Sequence, residues 1–179
     1  MFVAVLDWNT PLLAGTVDMD VYEDVAKTPP LPRYLDRNYE ICNSGVMVTP
    51  QLAWRSRQPG FSSLKIKTCR KKNLMAFTEA VPYAEKYPFL SRLPLDFGGG
   101  TNWSAGQSAG TMLFASSNGD RVRVGPIICW DLIYGSTTAT SARNGVEFLA
   151  AVTNEGWWGK SITAHEIESF TRLRSIAPK

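Results

Sequence analysis

A chain of 179 residues, 44% hydrophobic and 20% charged, has enough apolar matter for one domain with a real core. A formal net charge of +3, with no block of Lys and Arg, gives no basis for binding nucleic acid. One histidine (His165) and three widely spaced cysteines (Cys42, Cys69, Cys129) fit neither a zinc pattern, nor a disulfide framework, nor a histidine-rich metal site.

Phe2–Leu6 reads as a buried strand ending at Asp7; it lacks the basic start and cleavage site of a signal peptide. A polar stretch from Thr10 to Asp20 follows, then a short helix over Val21–Lys27 closed by Pro29-Pro30. Pro32 suits a first helical position, and Leu31, Leu35, Tyr39 and Cys42 share one helical face up to Gly45. Val46–Val48 reads as a short strand and Pro50–Gly60 as a loop. Leu64–Lys67 alternates apolar and basic, as a half-exposed strand does, and Arg70-Lys71-Lys72 reads on its own as a solvated strand end.

Gly98–Gly110 reads as a glycine-rich loop without the Gly-Lys-Ser/Thr ending of a phosphate cradle. Met112–Ala115 and Val122–Val124 form a predicted hairpin around Asn118-Gly119, leading into the apolar strand Ile127-Ile128 that ends at Cys129. Thr137–Asn144 is a predicted helix stopped by Gly145, and Phe148–Val152 a second buried strand reached by a right-handed crossover. Thr163 and Glu166 form a capping box for a last helix with Ile167, Phe170, Leu173 and Ile176 at every third residue. No stretch reaches the about 18 apolar residues of a membrane span.

A cysteine closing a buried strand stands at the sheet edge where α/β proteins place reactive groups, although free cysteine is also a common core residue. Asp7, Lys71 with Glu79, and Cys129 with Asp131 all fall at or just after predicted strand ends. Brought together, a carboxylate would take the thiol proton, and an ammonium would lower the thiol pKa and stabilise an oxyanion. No histidine is needed for that chemistry.

Three motifs then occur in order: Lys71–Glu79 (KKNLMAFTE), Ile128–Asp131 (ICWD) and Thr153–Gly159 (TNEGWWG). They resemble the lysine, cysteine and Thr-Asn-Asp-x-Trp motifs of the nitrilase (carbon–nitrogen hydrolase) superfamily. Leu74–Pro82, the Trp-Trp-Gly ending and Arg172–Ile176 resemble its apolipoprotein N-acyltransferase branch. The resemblance implies an α/β chain folded as a four-layer α-β-β-α sandwich. Residues 1–179 would form a partial catalytic domain truncated at both ends, with membrane helices flanking it in the parent protein. It implies Cys129 as the thioester-forming nucleophile, Lys71 as the catalytic lysine, Glu79 as its supporting glutamate and Asp7 at the general-base position. Asp131, Asn154, Glu155, Trp157 and Trp158 would form the substrate side, the two tryptophans making an apolar wall suited to an acyl chain. No metal or cofactor is implied. Asp7, Asp131 and Glu155 depart from the family's usual acids, Trp130 from its tyrosine and Ala177 from its helix glutamate.

The leading reading is an acyltransferase that moves a fatty acyl group from phospholipid to the N-terminal amine of a diacylglyceryl-cysteine lipoprotein. It would work on the periplasmic side of a bacterial inner membrane, the membrane association coming from flanking segments. The alternatives are a soluble amidase of the same superfamily, in which water resolves the thioester, and a catalytically inactive domain kept for binding or assembly. A papain-like pairing of Cys129 with His165 ranks last, because neither flank resembles that family.

Overall fold

The computed structural model describes residues 2–23, 39–60, 66–84, 86, 87, 89, 90, 103–116, 118–154, 156, 159 and 162–176. Its elements in chain order are α1 (Phe2–Trp8), β1 (Leu12–Val21), β2 (Tyr39–Val48), α2 (Pro50–Arg55), β3 (Lys67–Arg70), β4 (Met112–Ala115) and β5 (Arg121–Ile128). A 3-10 turn (Cys129–Ile133), α3 (Gly135–Arg143), β6 (Phe148–Val152) and α4 (Thr163–Ile176) complete them.

The strands make two three-stranded sheets, β1-β2-β3 and β4-β5-β6. In sheet one β1 and β2 run antiparallel from Leu12↔Val48 to Val21↔Tyr39, and β3 pairs with β2 from Ser44↔Arg70 to Met47↔Lys67. In sheet two the β4–β5 hairpin is antiparallel, whereas β6 joins β5 in parallel from Val124↔Phe148 to Ile128↔Val152.

Period-two alternation decides which face each sheet buries. Met47 and Cys69 of sheet one meet Met112, Val124 and Ile128 of sheet two, with Leu13 packed against them. Gly15 lets β1 come close to β6, since a Cβ there would stand only 3.0 Å from Val152 Cγ1. On the far side of sheet two, Ile127 packs with Leu132 and with Ile167 and Phe170 of α4. There α3 lies so close that a Cβ on Gly125 would come 3.2 Å from Ser141 Cβ. On the far side of sheet one, Val48 packs with Val5 of α1 and Ala53 of α2. The order is therefore α-β-β-α, the four-layer sandwich.

Several elements differ from the sequence expectation. Phe2–Trp8 is a helix, not a strand, because a short apolar run without alternation suits either state and burying Val5 needs only one helical face. The helix stops at Asn9, in the left-handed region (φ 46), with Thr10 N returning to Val5 O at 3.3 Å. The stretch expected to be polar is β1, whose Asp18 and Asp20 alternate with Val17, Met19 and Val21 and point to the outer face. There Arg70 meets Asp18, Asp20 and Glu40 at 2.8, 2.7 and 3.2 Å. Burial alone would lower the Arg70 guanidinium; the hydrogen bonds to Asp18 and Asp20 outweigh it and raise it.

Tyr39 and Cys42 belong to β2, and Gly45 lies inside that strand instead of ending a helix. The expected loop at Pro50 opens with α2, where Thr49 caps by accepting from Leu52 N at 3.3 Å and Pro50 takes the first turn. The expected strand Leu64–Lys67 begins only at Lys67, with residues 64 and 65 outside the described set. Most of the helix expected over Val21–Lys27, residues 31–38 of the next one and the start of the glycine-rich loop also lie outside it.

The Asn118-Gly119 hairpin, the β5–α3–β6 crossover to a parallel partner, the Gly145 stop (φ 73) and the last helix stand as read.

Candidate active site

Lys71 leaves the end of β3 still tied to the sheet. Its N–H donates to Asn43 O at 2.7 Å, and its carbonyl accepts from Gly106 N at 2.7 Å. With backbone fixed on both sides, the side chain turns inward and is only 1% exposed. The solvated strand end that three adjacent bases suggest is not what forms: Lys71 is buried, Arg70 is ion-paired and Lys72 alone is exposed.

A buried ammonium needs a counter-charge. Glu79 supplies it, with Lys71 Nζ 2.6 Å from Oε2. The same oxygen accepts from Met75 N at 2.7 Å, and Oε1 accepts from Asn43 Nδ2 at 3.2 Å. The chain reaches this geometry through a tight turn. Phe77 takes a left-handed φ of 65, and Phe77 N and Glu79 N bond to Ala80 O and Met75 O at 2.8 and 2.9 Å.

Cys129 stands at the carboxyl end of β5 and opens the 3-10 turn. Its φ is 48, a region that residues with a Cβ enter at a cost of about 1–2 kcal/mol. It is half-buried, packed beside the inter-sheet core of Met47, Cys69, Met112, Val124 and Ile128. Burial pushes the thiols of Cys42 and Cys69 up to about 11, so neither is a thiolate near neutral pH.

Asp131 joins the cysteine turn to the lysine loop. It is 3% exposed. Its Oδ2 accepts from Lys72 N at 3.1 Å, and its Oδ1 from Asn73 N and Asn73 Nδ2, both at 2.7 Å. Asn73 Nδ2 also reaches Thr137 Oγ1 of α3 at 2.8 Å. A residue expected to face substrate thus has both oxygens engaged by the protein.

Lys71 with Glu79, and Cys129 with Asp131, are therefore held in one connected network. Asn154 leaves β6 at the same sheet edge as Cys129, because Val152 pairs with Ile128, and its Oδ1 accepts from Gly156 N at 3.0 Å. Glu155, Trp157 and Trp158 lie outside the described residues. Asp7 is exposed on α1, in the helical layer behind sheet one, and not at a strand end. His165 is exposed on α4 and lines a groove there with Ile162 and Phe170, which removes the basis for pairing it with Cys129. Asn43 and Asn73 were not anticipated.

The family model for carbon–nitrogen hydrolases matches residues 34–178. The apolipoprotein N-acyltransferase of Chlorobaculum tepidum is 35% identical over 172 residues, 96% of this chain and 30% of that protein. The apolipoprotein N-acyltransferase of Bdellovibrio bacteriovorus is 36% identical over 110 residues, 62% of this chain and 19% of that protein. The chain thus spans less than a third of the length of these relatives. Since the matched residues take in β2 to α4, with Lys71, Glu79 and Cys129 among them, the chain belongs to the carbon–nitrogen hydrolase family.

Proposed function

We propose that this chain is the catalytic portion of an acyltransferase that carries a fatty acyl group from a phospholipid to the N-terminal amine of a lipoprotein. The observation that carries it is the buried Lys71–Glu79 pair tethered through Asp131 to the turn of Cys129. The names of the relatives support the substrate class. In this reading Cys129 Sγ bonds to the ester carbonyl carbon and the carbonyl π electrons move onto oxygen, beside the Lys71 ammonium. Collapse breaks the C–O bond, and the lysophospholipid alkoxide leaves with the proton that the thiol gave up. The lipoprotein amine then forms the C–N bond, the C–S bond breaks, and the amine's lost proton balances the returning thiol. In this reading the reaction runs at the periplasmic face of a bacterial inner membrane. Among the described residues no helix is long and apolar enough to cross a membrane.

The second reading is amide hydrolysis, favoured by the family's hydrolase character. Incubation with a fatty-acyl ester should leave a mass increase on intact protein that maps to Cys129. Ammonia release from a short carboxamide, with no lipid adduct, would reverse the ranking. Alkylation of Cys129 no faster than that of Cys42 and Cys69 in the folded protein would defeat both enzyme readings and leave a binding or assembly domain.

A further inference from the structure

The last helix reaches back to the turn that carries Cys129. Arg174, in the last turn of α4, donates from Nε to Leu132 O at 2.9 Å and from Nη2 to Ile133 O at 2.5 Å. These are the final carbonyls of the 3-10 turn, the groups that a short helix leaves without an internal partner. The turn has no side-chain cap of its own at its start. A planar guanidinium can serve two adjacent carbonyls at once, which a lysine ammonium on a flexible stem does less well. Gly135 adjoins the seat: a Cβ there would stand 3.2 Å from Arg174 Nη1 and press the guanidinium aside by a few tenths of an ångström.

The conformation being held makes this more than packing. Cys129, with φ 48, persists in a sparsely populated region only if its surroundings over-determine it. Asp131 restrains the turn from the side of the lysine loop. Arg174 restrains its other end.

We propose that Arg174 is a positioning residue for the nucleophile: by clamping the Leu132 and Ile133 carbonyls it keeps the Cys129 turn in register with the lysine loop. The proposal rests on reading Cys129 as the nucleophile. Its hydrogen bonds to the turn go to backbone carbonyls, and it acts through the turn.

The test uses the full chain and four variants: Arg174→Gln, Arg174→Lys, Gly135→Ala and, as a control from the opposite helical layer, Val5→Ala. Iodoacetamide labelling of Cys129 is followed across pH, separated from Cys42 and Cys69 by peptide mass, and melting temperature is measured alongside. Arg174→Gln should slow labelling near neutral pH by ~10-fold or more, as a misplacement of up to ~1 Å would do. Arg174→Lys should recover only part of the rate. Gly135→Ala favours helix α3 yet displaces the guanidinium, so it should slow labelling severalfold without lowering the melting temperature. Val5→Ala should melt earlier and keep the wild-type rate and profile.

Wild-type labelling in the Arg174 variants, or equal slowing by Val5→Ala, would overturn the proposal. If Arg174→Gln fails to fold, Arg174→Lys and Gly135→Ala decide it. Wild-type Cys129 labelling no faster than Cys42 and Cys69 is a separate result: it removes the nucleophile reading, and this one with it.

Discussion

At Glu79 two carboxylate oxygens receive Lys71 Nζ, Met75 N and Asn43 Nδ2, which fixes the direction of the lysine as well as its charge. Glu79→Ala strands a buried ammonium and should cost about 3 kcal/mol, the low end for breaking a buried pair. Glu79→Gln keeps the shape but not the charge; it and Lys71→Ala should both slow Cys129 alkylation. Both effects are read from denaturant melts and labelling rates. In the same assay Asp7→Ala should stay within about twofold of wild type, because exposed surface changes away from special contacts are nearly neutral. A large loss there would bring Asp7 back as the base. Lys71, Glu79 and Cys129 were legible in the sequence because each stands in a local motif. Asn43 was not, since its partner Glu79 lies 36 residues away; Asn73 and Arg174 fall inside the motifs, but their partners lie 58 and 41–42 residues away, so local spacing does not give their contacts.

Elements were legible where local chemistry and tertiary burial agreed. The hairpin at Gly119 (φ 91) and the end of α3 at Gly145 (φ 73), from which the crossover runs on to β6, each carry a glycine in the left-handed region. Reading failed where alternation was disguised. The aspartates of β1 look like loop residues until Arg70 across the sheet accounts for them, and α1 is too short for its period to be told from a strand. The lysine loop and the cysteine turn, far apart in sequence, depend on Asp131 for their alignment. Asp131→Ala leaves the N–H groups of Lys72 and Asn73 without their acceptor and should cost about 2–6 kcal/mol, at about 1–3 for each orphaned donor that stays buried. Calorimetric melting measures that cost. A change under about 0.5 kcal/mol, within the range of ordinary surface changes, would show the tether to be dispensable.

For the whole molecule, the two sheets close on an apolar interior that includes Cys69, and Cys42 is buried on the outer face of sheet one. Folding raises both thiols from 9.0 to about 11, so the unfolded chain gives up these protons first as pH rises. Their contribution to stability is complete below pH 9 and is lost between about 9 and 11. The melting temperature should fall across that window, and the fall should be shallower when Cys42 and Cys69 are both replaced by Ala. An unchanged slope would show that the two thiols do not titrate with unfolding.

The left-handed backbone at Cys129 has a consequence that needs no substrate to observe. Glycine enters that region without a Cβ clash, whereas alanine keeps it. Both replacements abolish a thiol, yet Cys129→Gly should melt above Cys129→Ala, by the equivalent of up to ~1 kcal/mol once glycine's greater chain entropy is set against the relief. The gap measures how much thermal endurance the fold gives up to present a sulfur at that bend. A domain whose task was only to bind or assemble gains nothing from that concession, so a melting curve on two inactive proteins speaks to whether the scaffold is shaped for chemistry.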